Sequence, residues 1–297
     1  MTPDVSVVIA TKDRAPALRR ALASFAAQEQ APPFEIVAVD NGSSDETAAA
    51  VRELARDAPY PLRYEFVARP NRGAARNAGI ARATGRVVAF VDDDVVVPPG
   101  FVAAHAAAHA RARTTAAVSG PILNVPDAAA RPKPSLANYS GAFFCTCNVS
   151  VPRESLSAVD GFDEGFDRYG WEDTELGLRL RRAGVRRVFA WPAYLYHVKP
   201  PRLETLDVVL QKTVERAQMA ARFVRKEPGL RAKLATGAYA LNVWRSALLA
   251  PAWSLARYRA LALDERVPAA LRALARGQYL DGAYRTALLR ALAGDGS

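Results

Sequence analysis

The 297-residue sequence predicts an α/β fold, in which a mostly parallel, Rossmann-like sheet is flanked by helices and followed by a helical C-terminal extension. Short apolar runs rich in β-branched residues, typical of strands buried on both faces, recur over about the first 200 residues. Segments with helical spacing of apolar residues separate the first four runs, which favours parallel strands joined by crossover helices. Half of the residues are hydrophobic, which excludes wholesale disorder.

The predicted elements follow one another in a regular order. The predicted strands cover residues 5–10, 34–39, 62–67, 87–91, 116–122, 143–151, 188–191 and 194–198. The early helices are predicted at 15–27, at 48–55 and from residue 71 onwards, where small residues are frequent. Beyond residue 204 the pattern is helical throughout. We therefore expect one domain at residues 1–204 and a basic, helical region at residues 205–297.

The positive charge is concentrated in the C-terminal region. The net charge is +10, and residues 205–297 contribute +8 of it, from 15 Lys or Arg and 7 Asp or Glu. This charge is interleaved with long apolar stretches, which favours a membrane surface over a nucleic acid as the partner.

One of these apolar stretches, residues 234–256, is predicted as a long helix that carries Trp244 and Trp253. Arg245 and Pro251 within it argue against a membrane span. A basic helix with Trp on its apolar side suits a membrane-surface helix. The alternative is a helical appendage that packs on the first domain or on a second subunit, and both interpretations stay open.

The strand at 87–91 ends in three adjacent carboxylates, Asp92, Asp93 and Asp94. They repel one another unless a positive group lies among them. Ligands of open α/β sheets bind beyond the carboxyl ends of the strands, where these acids lie. Mg or Mn prefers carboxylate oxygens and keeps positions free for substrate phosphates. Taken alone, the triplet is explained equally well as an acidic turn.

The cysteines and two of the histidines allow a structural and a metal-binding interpretation. We interpret Cys145 and Cys147 as packed thiols on one face of a strand, with a metal pair as the alternative. Their spacing is too tight for an ordinary disulfide, and no signal peptide is recognisable, which suits a reducing cytoplasm. His105 and His109, at i and i+4, could bind a metal, but their alanine-rich surroundings favour an ordinary helix surface.

Several polar residues follow the strands in a characteristic order: Thr11, Arg14, Asp40, Arg76, Asp92, Asp93, Asp94, Trp171, Glu172, Asp173 and His197. This ordered set resembles the family 2 glycosyltransferases with the GT-A fold, over residues 4–200. The resemblance implies an inverting, metal-dependent transfer of a sugar from a nucleotide-sugar donor to an acceptor hydroxyl, in the synthesis of cell-surface glycan, glycolipid or polysaccharide.

The resemblance also implies cofactor and partners. The cofactor is a divalent cation, Mn or Mg. The donor is expected to be a UDP-sugar, with a GDP- or dTDP-sugar as the alternative, and the acceptor a glycan or a lipid-linked glycan. We expect the chain in the cytoplasm, peripheral on the inner face of the cell membrane, with a homo-oligomer contact as another use of residues 205–297.

The resemblance implies a role for each polar residue. Nucleotide-sugar binding falls to Thr11, Arg14, Asp40, Arg76, Asp92 and Asp93, metal binding to Asp92, Asp94 and His197, and the acceptor side to Trp171 and Glu172. Asp173 is implied as the general base, and we expect its pKa to be lowered because a helix start favours a carboxylate. Residues 121–140 would be a mobile loop that reorders when the donor binds.

Two other classes of function stay open. One is a nucleotidyltransferase on a similar sheet; the other is a non-catalytic nucleotide-sugar-binding or scaffold protein. The sequence has no glycine-rich phosphate loop of the Walker or dinucleotide type. The Trp171-Glu172-Asp173 element has no evident use in a nucleotidyltransferase. Carboxylates at both ends of the predicted site argue against a scaffold.

Overall fold

A computed structural model describes residues 2–199 and 204–294. The chain divides into two compact units: the first is Met1–Asp167 with Glu172–Arg202, and the second is Arg168–Trp171 with Leu203–Ser297. The predicted α/β fold with a C-terminal helical region is confirmed. We keep the domain limits 1–204 and 205–297 as a proposal.

The first unit is built on a mixed, mostly parallel sheet. Its described strands are β1 Val5–Thr11, β2 Phe34–Asp40, β3 Leu62–Phe66, β4 Val87–Asp92, β5 Val95–Val96, β6 Ala116–Ser119, β7 Ile122–Val125, β8 Asn148–Pro152, β9 Arg186–Phe189 and β10 Leu195–Val198. The large sheet has the order β3-β2-β1-β4-β8-β6-β9, and β5-β10-β7 form a small sheet. Only β8 runs antiparallel to its neighbours in the large sheet.

Helices cover both faces of the large sheet, and this explains why its central strands are apolar without alternation. The helices are α1 Ala15–Ala26, α2 Thr47–Asp57, α3 Arg72–Arg82, α4 Phe101–Arg111, α5 Arg153–Ser157 and α6 Glu172–Arg182. On one face Ile9 of β1 lies in a core cluster with Phe25 of α1. On the other face Val8 shares a cluster with Leu176 of α6. Both faces of β1 are therefore buried.

Two predicted elements of this unit are wrong. The first part of the segment predicted as a mobile loop, residues 121–140, forms strand β7, because β10 pairs with it in parallel. The strand predicted at 143–151 begins only at Asn148, so that Cys145 and Cys147 precede β8. Both errors concern pairing between distant segments, which local periodicity does not report.

His105 and His109 do not form the ordinary helix surface that was predicted. His105 is buried, with Nδ1 2.8 Å from Ser150 Oγ and Nε2 3.0 Å from Asn148 Oδ1. His109 Nε2 lies 2.8 Å from the same Ser150 hydroxyl. Burial lowers the pKa of both imidazoles to about 4. The neutral pair therefore ties α4 to β8.

The second unit is helical in its described part, with α7 Leu206–Lys226, α8 Leu230–Thr236, α9 Ala240–Leu249, α10 Leu255–Leu263 and α11 Ala269–Ala293. The core of this unit joins α7 to α11 through small side chains. Ala217, Ala220 and Ala221 of α7 are buried together with Leu288 and Ala291 of α11.

The long helix predicted at 234–256 is wrong, because two residues interrupt it. Gly237, with φ +73°, adopts the left-handed conformation that ends α8. Pro251 follows the end of α9, and Ala252–Ser254 form a short 3-10 turn. Among the helices of the described residues, none combines the length and the apolar character that crossing a membrane requires.

Close packing of α3 on the sheet depends on Gly79. A Cβ atom there would lie 2.4 Å from Val8 Cγ1 and 3.2 Å from Val39 Cγ2. We expect Gly79→Ala to lower the free energy of unfolding by about 1–3 kcal/mol, the usual cost of an added methyl group in a packed core. Urea denaturation measures it.

Gly277→Ala in α11 is the matched control, because a Cβ atom there meets nothing within 4 Å. It should raise the free energy of unfolding by about 0.5–1 kcal/mol through helix propensity alone. Equal effects of the two substitutions would show that α3 does not rest on the sheet through Gly79.

Candidate active site

Three predicted site residues are the last residues of neighbouring parallel strands. Thr11 ends β1, Asp40 ends β2 and Asp92 ends β4. The strand register places Thr11 beside Asp40 and Ala10 beside Asp92. Because β1 lies between β2 and β4, the three side chains share one edge of the sheet, where ligands of such sheets bind.

The loops after β1 and β2 are joined by reciprocal hydrogen bonds. The Asp13 carboxylate accepts from Ser44 N at 2.7 Å, and Asp13 N donates to Ser43 Oγ at 2.9 Å. The Asp45 carboxylate accepts from Ala15 N, the first residue of α1, at 3.0 Å. The two loops therefore form one preorganised rim at the edge of the sheet.

Asp40 is buried behind this rim and holds it. One carboxylate oxygen accepts from Ser43 N at 2.7 Å and the other from the Tyr64 hydroxyl at 2.8 Å. Burial and the neighbouring carboxylate raise the pKa of Tyr64 to about 12, so the hydroxyl stays a donor. Each oxygen keeps a second lone pair that a ligand could use. Tyr64 comes from β3 and had no signal in the sequence.

Arg14 supplies the positive charge that the acidic triplet requires. Its Nη1 lies 3.1 Å from Asp93 Oδ1 and 3.1 Å from Asp94 Oδ2. Asp93, which is 5% exposed, also accepts from Thr11 Oγ1 at 2.7 Å. Burial raises the pKa of Asp93, and the charge of Arg14 opposes this rise. Thr11, Arg14 and the triplet are thus brought together as predicted.

His197 contacts the same triplet from the small sheet. Its position in β10, opposite Val95 of β5, brings Nε2 to 3.0 Å from Asp94 Oδ1. Burial alone would raise the pKa of Asp94, but the hydrogen bond and charge of His197, together with the charge of Arg14, lower it. Asp94 is therefore held as a carboxylate.

Potential metal ligands converge beside Asp94. The ligand atoms of Asp92, Cys147 and His197 all lie within 4.8 Å of one another. A carboxylate and an imidazole are suitable donors for a divalent cation, so Asp92 and His197 fit the predicted cation, whereas Asp94, also predicted as a ligand, does not belong to this group. Cys147 was not predicted here. The register that pairs Val91 with Asn148 sets Cys147 next to Asp92, but only the sheet topology reveals it.

A second charged cluster joins α3 to α6. Arg76 and Glu172 are both buried, and Arg76 Nη1 lies 3.0 Å from Glu172 Oε1 and 3.7 Å from Asp173 Oδ1. The guanidinium also lies 5.5 Å from the ring centroid of Phe162. In the structure Arg76 therefore pairs with the acids of α6, and its contact with a nucleotide or a diphosphate stays a prediction.

Asn77 keeps α3 in place against the segment before α6. Its Oδ1 accepts from Phe162 N at 2.8 Å, and its Nδ2 donates to Phe162 O at 2.9 Å. Gly161, with φ +61°, permits this approach, since a Cβ atom there would lie 2.5 Å from Asn77 Oδ1. Gly161 thus allows α3 to pack closely against the segment before α6.

Asp173 lies in the first turn of α6, and only one of its oxygens is satisfied. Oδ2 accepts from Thr146 N at 2.9 Å and from Thr146 Oγ1 at 3.0 Å. Oδ1 is buried and has no hydrogen-bond partner among residues 2–199 and 204–294. The expected lowering of its pKa is wrong: burial raises the pKa of Asp173 to about 6, and the charge of Arg76 opposes this only in part.

Trp171 belongs to the second unit. Its indole Nε1 donates to Arg216 O at 2.9 Å, and its ring stacks on Phe223 with centroids 6.0 Å apart. The Arg216 guanidinium lies 5.2 Å from the indole ring centroid. Its φ of +77° is unusual for a bulky side chain. These contacts are packing contacts, and the acceptor-side role of Trp171 stays a prediction.

Comparison with known proteins gives the family. The profile of glycosyl transferase family 2 matches residues 6–158, more than half of the chain. The chain belongs to glycosyl transferase family 2. A second profile, the N-terminal domain of galactosyltransferase, matches residues 130–207. The predicted family and the predicted enzyme class, a glycosyltransferase, are therefore confirmed.

Characterised relatives of this family 2 chain are longer than it is. Validoxylamine A glucosyltransferase of Streptomyces hygroscopicus subsp. limoneus is 30% identical over 270 residues, which cover 77% of this chain and 58% of the relative. Chondroitin synthase of Escherichia coli is 25% identical over 247 residues, 67% of this chain and 35% of the relative. The chain thus spans about three fifths, or less, of the length of these proteins.

Solved structures share the GT-A fold of this glycosyltransferase chain. Mannosyltransferase PcManGT from Pyrobaculum calidifontis, in complex with GDP-Man and Mn2+, has a TM-score of 0.66 at 23% identity, covering 100% of this chain and 89% of that one. S. aureus TarS in complex with UDP-GlcNAc has a TM-score of 0.59 at 20% identity, covering 98% and 92%. At these identities the likeness establishes the fold.

Arg76 is expected to be essential for stability, because it neutralises buried acids. We expect Arg76→Leu to lower the free energy of unfolding by about 3–5 kcal/mol, since it leaves Glu172 unpaired in a buried place. Urea denaturation measures the loss. The double variant Arg76→Leu/Glu172→Gln should recover part of it, and the absence of any recovery would contradict the ion pair as the cause.

Proposed function

We propose that the chain transfers a sugar from a nucleotide-sugar donor to an acceptor hydroxyl with inversion at the anomeric carbon. One observation carries the proposal. Thr146 N donates to Asp173, and the sulfur of the next residue, Cys147, lies within 4.8 Å of a carboxylate oxygen of Asp92, so the two acidic clusters are neighbours. One cluster holds a carboxylate of lowered pKa, Asp94, and the other a carboxylate of raised pKa, Asp173. Such a divergence is typical of paired catalytic roles.

The donor side of the proposal is the edge formed by β1, β2 and β4. Thr11, Arg14, Asp40, Arg76, Asp92 and Asp93 are proposed to bind the nucleotide sugar. The rim of the β1 and β2 loops would hold the nucleoside, with Asp40 as its acceptor. Structures of similar fold in complex with GDP-Man and with UDP-GlcNAc support a nucleotide-sugar donor. We propose a UDP-sugar first, with a GDP- or dTDP-sugar as the alternative.

Asp92, Asp94 and His197 are proposed to hold Mn or Mg. When bound, the cation supplies positive charge that stabilises the diphosphate as it leaves. Arg14 lies next to these proposed cation ligands. Its side chain is 54% exposed, so it can also reach a diphosphate oxygen. Its existing contacts with Asp93 and Asp94 would offset the repulsion between these carboxylates until the donor binds.

Asp173 is proposed to be the general base. The acceptor oxygen forms a bond to the anomeric carbon, the bond from that carbon to the diphosphate oxygen breaks, and the hydroxyl proton passes to Asp173. A pKa of about 6 leaves this carboxylate deprotonated at neutral pH yet more basic than an ordinary aspartate. Glu172 and Trp171 are proposed to face the acceptor, a glycan or a lipid-linked glycan of the cell surface.

The donor site can be tested without knowing the acceptor. We expect nucleoside diphosphates and nucleotide sugars to stabilise the chain only when Mn or Mg is present. At about a hundred times its dissociation constant a ligand adds about 2.7 kcal/mol to the free energy of unfolding. A thermal-shift series with UDP, GDP and dTDP compounds measures this, and Asp94→Ala should abolish the metal-dependent part.

Asp57→Ala is the control, because Asp57 is exposed at the end of α2 and touches none of the proposed site residues. Its shift should equal that of the unaltered chain. A well-folded chain that no nucleotide stabilises would instead favour the scaffold alternative.

The general base can be tested by turnover at different pH values. We expect Asp173→Asn to lower kcat by about 10²- to 10⁴-fold, while donor affinity stays within about twofold, because the base acts on the acceptor proton. In the unaltered chain kcat should fall as the pH drops through about 6, since protonated Asp173 cannot accept a proton.

Asp57→Asn serves as the matched acid-to-amide control and should leave both kcat and the pH profile unchanged. Full turnover by Asp173→Asn, with normal donor binding, would rule out this assignment.

The second unit carries an exposed surface that suits an anionic membrane. We define the Trp patch as Leu241, Trp244, Leu248, Leu249 and Trp253, which are 45–81% exposed. Residues 228–263, which contain it, include five Lys or Arg and no Asp or Glu. Exposed Trp within basic sequence is typical of a membrane-surface helix. We propose that the Trp patch rests on the inner face of the cell membrane, near a lipid-linked acceptor.

Flotation with vesicles tests this proposal. We expect binding to vesicles that contain phosphatidylglycerol, weaker binding to phosphatidylcholine alone, and a loss of binding at high salt. Trp244→Ala/Trp253→Ala should weaken binding by more than about tenfold, since each large apolar side chain contributes about 1.5–3 kcal/mol when fully buried. Phe66→Ala is the control, because Phe66 is 52% exposed in the first unit. Equal flotation of the two variants would contradict the proposal.

A further inference from the structure

A buried thiol lies among the residues that we propose for the cation. The sulfur of Cys147, a carboxylate oxygen of Asp92 and an imidazole nitrogen of His197 lie within 4.8 Å of one another. Two ligands bound to one cation, each about 2.0–2.3 Å from it, are at most about 4.6 Å apart. The three donors therefore need only small side-chain rotations to bind one ion.

This convergence involves one of the two cysteines. Cys147 is 6% exposed, and it stands opposite Asp92 in the register that pairs Val91 with Asn148. Cys145 packs beside the same apolar cluster but is not one of these donors. Across residues 2–199 and 204–294, Asp92, Cys147 and His197 are the one group of three or more His, Cys, Asp or Glu close enough to hold an ion.

We propose that Cys147 Sγ is a metal ligand of this site and gives it a preference for soft cations such as Zn²⁺ and Cd²⁺. Thiolate sulfur selects such cations, whereas carboxylate oxygens suit Mg and Mn. When the metal–sulfur bond forms, the thiol proton is released to solvent. The inference rests on the proposed cation site, and it adds a donor that the transfer reaction does not itself require.

Cobalt provides a direct readout, because Co²⁺ bound to a thiolate gives a charge-transfer absorption band in the near ultraviolet. The full chain is titrated with Co²⁺ alone, under reducing conditions and without nucleotide. We expect the band in the unaltered chain and in Cys145→Ser, the matched control, and its loss in Cys147→Ser and Cys147→Ala. Competition between Co²⁺ and Zn²⁺ measures the affinity of the chain for Zn²⁺. We expect this affinity to be roughly tenfold or more lower in Cys147→Ala than in the unaltered chain, while the affinity for Mn²⁺ changes much less.

The outcomes separate this inference from the proposed function. Binding of Co²⁺ without the thiolate band, or a band that persists in Cys147→Ala, would leave the cation site in place and overturn the role of Cys147. If the Cys147 variants fail to fold, Cys145→Ser decides the question, because Cys147 is then the one thiol left in the sequence. If the folded chain does not bind Co²⁺ at all, and Asp94→Asn causes no further change in that titration, the cation site and this inference are overturned together.

Discussion

Repulsion among adjacent carboxylates at the end of β4 is the constraint on which the site depends. Asp92, Asp93 and Asp94 meet at one edge of the sheet, and each has a different partner. Arg14 lies between Asp93 and Asp94, His197 contacts Asp94, and the sulfur of Cys147 lies within 4.8 Å of an Asp92 oxygen. These partners come from β1's loop, from the small sheet and from the approach to β8. The whole topology of the first unit is therefore needed to hold three acids together.

Burial raises the pKa of Asp173 in the neighbouring cluster, as it does that of Asp93, whereas the pKa of Asp94 is lowered. Asp173 lies in the first turn of a helix, where the dipole favours a carboxylate, yet burial of the carboxylate raises its pKa, and its Oδ1 has no hydrogen-bond partner in the part of the chain that the structure describes. Arg76 does not reverse this, because it shares its charge with Glu172. Asp94 and Asp173 thus have the same side chain but differ in basicity because their surroundings differ, as is typical of catalytic pairs.

The sequence predicted those features that local pattern controls. The strands that carry Thr11, Asp40 and Asp92 agree with the structure to within a residue or two at each end, because apolar periodicity reports burial directly. The order of the polar residues predicted the family correctly. The long helix expected at 234–256 is interrupted at Gly237, which carries no weight in that expectation, and at Pro251, which is used there only as an argument against a membrane span.

Other features depend on contacts between distant segments, which no local pattern contains. Strand β7 exists because β10 pairs with it, and His105 is buried because β8 lies against α4. Tyr64 reaches Asp40 only across the sheet, and Thr146 reaches Asp173 only after α6 is placed. The raised pKa of Asp173 follows from that enclosure and could not be foreseen from its position in the helix.

The adjacency of Thr146 and Cys147 has a consequence for how such a domain can change its substrate. Consecutive residues are 3.8 Å apart, so any displacement of this segment alters the surroundings of both acids at once. Exchanges in this segment that alter the surroundings of Asp173, the proposed base, would therefore also disturb the proposed cation site. The loops after β1 and β2 touch neither Thr146 nor Asp173 through any of the hydrogen bonds described above. If the proposed roles hold, the preference for a donor can change through these loops while the surroundings of Asp173 are left unchanged.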